Sequence, residues 1–205
     1  MGSRQYIIPI DTVTITDMKT YRAKALAAGI LRSYELKVCV PEPGFPSNSV
    51  AGILAAMEKG LWPEGVDVRE WQNIADAGTA LDRWLTAPLA AVGLPYSLFQ
   101  AIAAPAIGLR ATKICVFYGV AVENAAMPIS RLTFRRTGAA GNIIAEYDTE
   151  PLIDLQNQVG YFSEPIVIDN NTPFAAQALC RIATGVAEAV KLLNFVFEPA
   201  GQTHQ

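Results

Sequence analysis

The amino-acid sequence predicts a mainly β protein: an antiparallel β-sandwich of the jelly-roll kind, with short inserted helices and an extended N-terminal arm. A series of short segments either alternates apolar and polar residues or is rich in β-branched and aromatic side chains, and most of them stop at Pro, Gly or Asn. Strands and helices do not alternate along the chain, which disfavours a parallel α/β sheet. The composition is 51% hydrophobic and only 17% charged, with a mean hydropathy of +0.24, so the chain is not disordered and must hide a large apolar area. At 205 residues it divides into an arm, residues 1–16, and one sandwich domain over 17–205, with an insertion around 41–110.

Residues 6–15 are β-branched but carry Pro9, which cannot donate to a ladder, so they read as an edge strand or an arm able to pair with a neighbouring subunit. Thr16 as N-cap, Asp17 in the first turn and Gly29 as the stop bound a helix over 17–28. Residues 34–40 alternate, with Tyr34, Leu36, Val38 and Val40 on one face, and predict a half-buried strand that the prolines of 41–46 end. Ser49 opens a second helix over 50–59, and Gly60 stops it. Residues 66–74 suit strand or helix, and 75–85 are helical in composition.

Residues 113–123 are apolar on both faces, the pattern of a central strand covered on two sides. Residues 129–137 and 142–150 form a hairpin across Gly138 to Gly141. Leu132 and Phe134 face Ile143, Ala145 and Tyr147, while Arg131 and Arg135 share the other face with Glu146 and Asp148. Residues 161–169 are extended and turn at Asn170 and Asn171. Over 174–189 the composition favours a helix, yet Thr184 and Gly185 interrupt it; the favoured reading is a hairpin from 174–183 back over 191–198, where Leu193, Phe195 and Phe197 share a face.

The run 84–109 contains no charge before Arg110, and Pro88, Pro95 and Pro105 cut it into pieces too short for a membrane-spanning helix. It reads as a buried connection or as short helices at a subunit contact, with a membrane-facing surface as the alternative. With the arm it supplies the candidate contact residues: Tyr6, Ile8, Ile10, Val13, Trp84, Leu89, Leu94, Tyr96, Leu98, Phe99 and Ile102.

Chemistry is sparsely provided. The single imidazole, His204, lies next to the C-terminus, where no third group is expected to hold it as a base. Cys39, Cys115 and Cys180 are too scattered for a zinc site or a disulfide framework and read as buried thiols. No phosphate-loop, nucleophile-elbow or zinc-protease motif occurs, so neither a catalytic residue, a cofactor, a metal nor a small-molecule substrate is expected. Glu146, Asp148, Glu150, Glu164 and Asp169 remain as carboxylates that two-acid hydrolysis would need, and cross-strand pairing accounts for the first three without it. Residues 1–37 hold six positive and three negative side chains although the whole chain has a net charge of −3, so this basic N-terminal part, the arm with the helix that follows it, is suited to an anionic membrane or nucleic acid.

The segments Tyr161-Phe162-Ser163-Glu164-Pro165-Ile166-Val167-Ile168 and Leu192-Leu193-Asn194-Phe195-Val196-Phe197-Glu198-Pro199 resemble the final strands of small jelly-roll coat proteins of tailless, membrane-containing bacterial and archaeal viruses. The resemblance covers the C-terminal half only. It implies a capsid subunit in a virion, whose function is self-association, with copies of itself and other virion proteins as partners. The alternative expectation is a β-sandwich binding module or a carboxylate-dependent hydrolase. No secretion signal is read at the N-terminus, which otherwise implies a cytoplasmic protein.

Overall fold

A computed structural model of the chain describes residues 5–71, 90–98, 107–122, 126–136, 141–153, 155–184 and 190–201. The helix expected over 75–85 and the turn residues 138–140 lie outside them. The strands are β1 (Ile7–Pro9), β2 (Val66–Arg69), β3 (Pro95–Ser97), β4 (Ile107–Gly108), β5 (Ile114–Val122), β6 (Ile129–Arg136), β7 (Ile143–Asp148), β8 (Val159–Ile168), β9 (Pro173–Cys180) and β10 (Val190–Pro199). Helices α1 (Ile15–Glu35) and α2 (Val50–Glu58) precede β2.

Two antiparallel sheets form, one in the order β1-β8-β5-β10-β2 and the other in the order β3-β9-β6-β7, with β4 also on β9. The pairs are nested: β6 with β7, β5 with β8, β3 and β4 with β9, β2 with β10. The chain is therefore one long hairpin doubled back on itself and rolled up, so that β5 meets β10 and β6 meets β9. That is a jelly roll, as the strand pattern predicts.

Period-2 alternation explains which side chains fill it. Cys115 and Phe117 of β5 point between the sheets, while Ile114 and Val116 point out. Pairing with β10 then skips Tyr118, and this bulge reverses the parity so that Val120 and Val122 also face the sandwich core. Phe134, Tyr147, Phe162 and Phe174 complete that core; the Tyr147 and Phe162 rings stack at 4.1 Å.

The outward face of the first sheet is equally apolar, and α1 and α2 cover it. Ala25, Ala27, Ile30 and Tyr34 of α1 and Ile53 of α2 bury Ile114, Val116, Phe195 and Phe197. This third layer corrects the predicted helix boundaries. Thr14 rather than Thr16 is the N-cap, because its hydroxyl accepts from the Asp17 N–H (3.2 Å) while the Asp17 carboxylate accepts from the Thr14 N–H (3.0 Å). Gly29 does not end the helix. The Phe197 ring lies where its Cβ would be, so its missing side chain serves close packing of α1 on β10.

The expected strand over 34–40 is likewise overturned. Tyr34 and Glu35 are helical, Lys37 adopts a left-handed φ of 56°, and the Val38 N–H returns to the Ser33 carbonyl (2.9 Å) while the Lys37 N–H meets Tyr34 (3.0 Å). This Schellman closure tucks Tyr34 and Cys39 under the helices, with Leu36 and Val38 packed beside them, while Val40 stays exposed. Ser49 and Gly60 bound α2 as expected, Ser49 accepting from the Gly52 N–H (3.1 Å). Residues 174–180 are a strand, but β9 and β10 do not form the predicted hairpin: they belong to opposite sheets. Phe174, Ala176, Ala178 and Cys180 face the core at every second position, and this burial overrides the helix propensity of alanine.

Gly29→Ala tests the helix seat. Propensity alone gives a gain of about 1 kcal/mol; the Phe197 contact turns this into a loss of about 1–3 kcal/mol in urea unfolding, as overpacking does.

Candidate functional site

Nested pairing brings the β2–β3, β5–β6, β7–β8 and β9–β10 connections to one end of the barrel. Hydrogen bonds knit their described parts together. The Gly93 N–H donates to the Cys180 carbonyl (2.9 Å), the Cys180 N–H to Leu94 (3.0 Å), the Arg181 N–H to Pro128 (2.8 Å), and the Val122 N–H to Gln158 (3.0 Å). Arg181 also donates a guanidinium N–H to the Met127 carbonyl (3.2 Å).

Two features share this end. On the β3–β9 side, Val92, Leu94 and Ile182 are exposed at 65%, 53% and 40%. On the β6–β7 side lies a cleft of about 370 Å³ lined by Ser130, Arg131, Asp148, Glu150, Ile153 and Arg181. A second hollow of about 240 Å³, lined in part by Met127, Leu155 and Gln158, shares Ile153 and Arg181 with it. Gln158 is buried, and its Oε1 has no hydrogen-bond partner.

The sequence-predicted contact residues are spread unevenly. Tyr6 is exposed and its N–H donates to the Ser163 hydroxyl (3.2 Å), while Ile8, Ile10 and Val13 are half-buried. The arm that contains them runs as β1 along β8 of its own chain, with Ile7 opposite Phe162 and Ile8 opposite Tyr161. Leu94 is open to solvent. Tyr96 packs beside the core and its hydroxyl accepts from the Ala91 N–H (3.0 Å). Leu98 is a correction: it is fully buried in the sandwich core, its N–H donating to Ala176 (2.9 Å), so it offers no surface to a partner. Trp84, Leu89, Phe99, Ile102 and His204 lie outside the described residues.

The carboxylates sort by partner. Glu146 pairs with Arg131 at 3.5 Å across the β6–β7 ladder, as the alternation predicts. Asp148 accepts from the Glu150 N–H (3.0 Å), and both face the cleft. Asp169 instead receives the Arg32 guanidinium in two parallel bonds of 2.7 Å, which ties α1 to the opposite end of the barrel. There, too, Glu198 is buried between Arg69 (2.9 Å) and Lys113 (3.4 Å). Neither this buried cluster nor Gln158 and Arg181 carries a sequence signal: Glu198 simply ends an alternating strand, and the other two stand in connections.

The thiols of Cys39 and Cys180 are buried and pushed up by burial, and Cys115 is buried as well. Among the described residues, no group of three His, Cys, Asp or Glu side chains is placed to hold a metal. Nor is any described helix long and apolar enough to cross a membrane. Comparison with protein-family models, curated proteins and solved structures found no match.

The Arg32 hydrogen bonds hold the Asp169 carboxyl below its ordinary range. A depressed folded pKa means that the stabilisation is complete above the unfolded value, about 3.9, and is lost as pH falls through the lower folded value. Asp169→Asn is therefore expected to cost about 1 kcal/mol at neutral pH and to flatten the acid limb of stability below about pH 4, read by thermal melts across pH.

Proposed function

We infer that the chain is a structural subunit that associates with copies of itself, with a virion coat protein as the form this takes. The observation that carries the reading is the exposed apolar group Val92, Leu94 and Ile182, which three hydrogen-bonded connections hold in place at one end of the barrel. Leu94 belongs to the uncharged run, so the same stretch that lowers the charge of the chain also supplies apolar surface. Apolar residues grouped on connections that a rigid scaffold positions are suited to a partner surface. A jelly roll adds compatible architecture, since its barrel leaves its ends free to be tailored. The exposed Lys19 and Lys24 on α1 are the positive groups with which the arm side would meet an anionic surface.

Sedimentation velocity on the purified protein and on Leu94→Glu tests this. The unaltered chain is expected to form oligomers or closed shells at micromolar concentration. The variant, which trades the burial of a leucine for a desolvated charge, is expected to associate at least tenfold more weakly. A monomeric unaltered chain, or an unchanged variant, overturns the reading.

A further inference from the structure

We propose that the open edge of β7, together with the cleft that Asp148 lines at its end, takes an extended, cationic peptide segment of another protein as an added strand. The proposal is independent of self-association, because β7 and the exposed apolar group of the β3–β9 side stand at opposite edges of their sheet.

Strand β7 ends its sheet: among the described residues only β6 pairs with it. The Thr149 N–H bonds to the Ser130 carbonyl (3.0 Å), and bonded pairs alternate along an antiparallel ladder, so Leu132 with Tyr147 and Phe134 with Ala145 are the bonded pairs that follow. The N–H and C=O groups of Glu146 and Asp148 therefore point away from β6, toward the open side. The other outer strands are short or carry proline: β1 has three residues and Pro9, β2 has four, β3 has three and begins at Pro95, and β4 has two. β7 has six, with neither Pro, Gly nor Lys, and Ile143 at its start is 51% exposed. Proteins as a rule shorten, cover or block such an edge, because it is ready to pair with another extended chain.

Charge selects the segment. Glu146 and Asp148 lie on the solvent face of the strand, and Asp148 lines the cleft with Glu150. The two arginines of that cleft are engaged, Arg131 with Glu146 (3.5 Å) and Arg181 with the Met127 carbonyl (3.2 Å), whereas the one described partner of the Asp148 and Glu150 carboxylates is the Glu150 N–H. The sequence of the connections at this end carries the same sign: 123–128, 149–158 and 181–189 hold Glu123, Glu150, Asp154 and Glu188 against Arg181, and 70–94 holds three acids against Arg83. A strand with lysine or arginine at alternate positions sets cations opposite Glu146 and Asp148, and the cleft of about 370 Å³ has room for one of them. The same carboxylates disfavour a second copy, since β7 laid antiparallel on the β7 of another copy brings Glu146 and Asp148 against like charges.

Fluorescence anisotropy on the intact protein tests this with a labelled, capped octapeptide alternating lysine and threonine. Two controls accompany it: a peptide alternating glutamate and threonine, and the lysine peptide with its lysine backbone nitrogens methylated. Only the first peptide is expected to bind. Methylation keeps the charge and removes the N–H groups that would face β7, so loss of binding separates strand addition from plain charge attraction. Asp148→Asn and Glu150→Gln remove charge at nearly unchanged shape, and each is expected to weaken binding about fivefold, as an ion pair at the strong end of the surface range does. The proposal is overturned if the lysine peptide does not bind, if either control binds as tightly, or if neither substitution alters binding. It also fails if the substitutions strengthen self-association with no peptide present, which would make a second copy of the chain the occupant of the edge.

Discussion

The structure depends on a sheet that is apolar on both faces. Strands β5 and β10 send Cys115, Phe117, Leu192 and Val196 into the sandwich and Ile114, Val116, Phe195 and Phe197 away from it. A two-layer sandwich would leave the second set in water, at about 25 cal/mol for each Å² exposed. Helix α1 is long because it must cover that face, and it continues through Gly29 because only a residue without a Cβ lets the helix settle onto Phe197. The apolar side chains on both faces of this sheet are thus buried within the chain, by three layers instead of two.

The two ends of the barrel are finished differently. At one, charges are paired: Arg32 with Asp169 across α1, and Glu198 between Arg69 and Lys113 in a buried cluster. The buried Glu198 cluster is tightly constrained, since removing one partner of a buried ion pair leaves an uncompensated charge. The other end exposes Val92, Leu94 and Ile182 and holds a buried glutamine oxygen without a donor. Departures from local consistency mark functional places more often than accidents of folding, and two of them share this end, although others, such as exposed Val40 and Ile143 and the unpartnered Tyr34 hydroxyl, lie elsewhere.

Much of the fold was legible because period-2 burial leaves a strong trace. The two-sided strand β5 follows from an unbroken apolar run, and the β6–β7 hairpin with its Arg131–Glu146 pair follows from alternation. What misled were positions where a tertiary contact outranks a local rule. Gly29 looks like a helix stop until Phe197 is seen, residues 34–40 alternate in sequence but form a helix end and its cap, and the alanines of β9 favour a helix until the sheet claims every second one. Pairing was less legible than strand identity, since nothing local tells β9 and β10 that they lie in opposite sheets. The candidate site was legible at Leu94, Arg131, Asp148 and Glu150; Gln158 and Arg181 gain meaning solely from the connections that converge around them.

Hydrogen exchange on the assembled protein, compared with its dissociated form, tests directly whether the connections that carry Val92, Leu94 and Ile182 form the contact surface. Slowed exchange confined to residues 90–94 and 181–184 on assembly is the expected result. Slowed exchange on the outer face of α1 or along the β7 edge, with those connections unchanged, would contradict it.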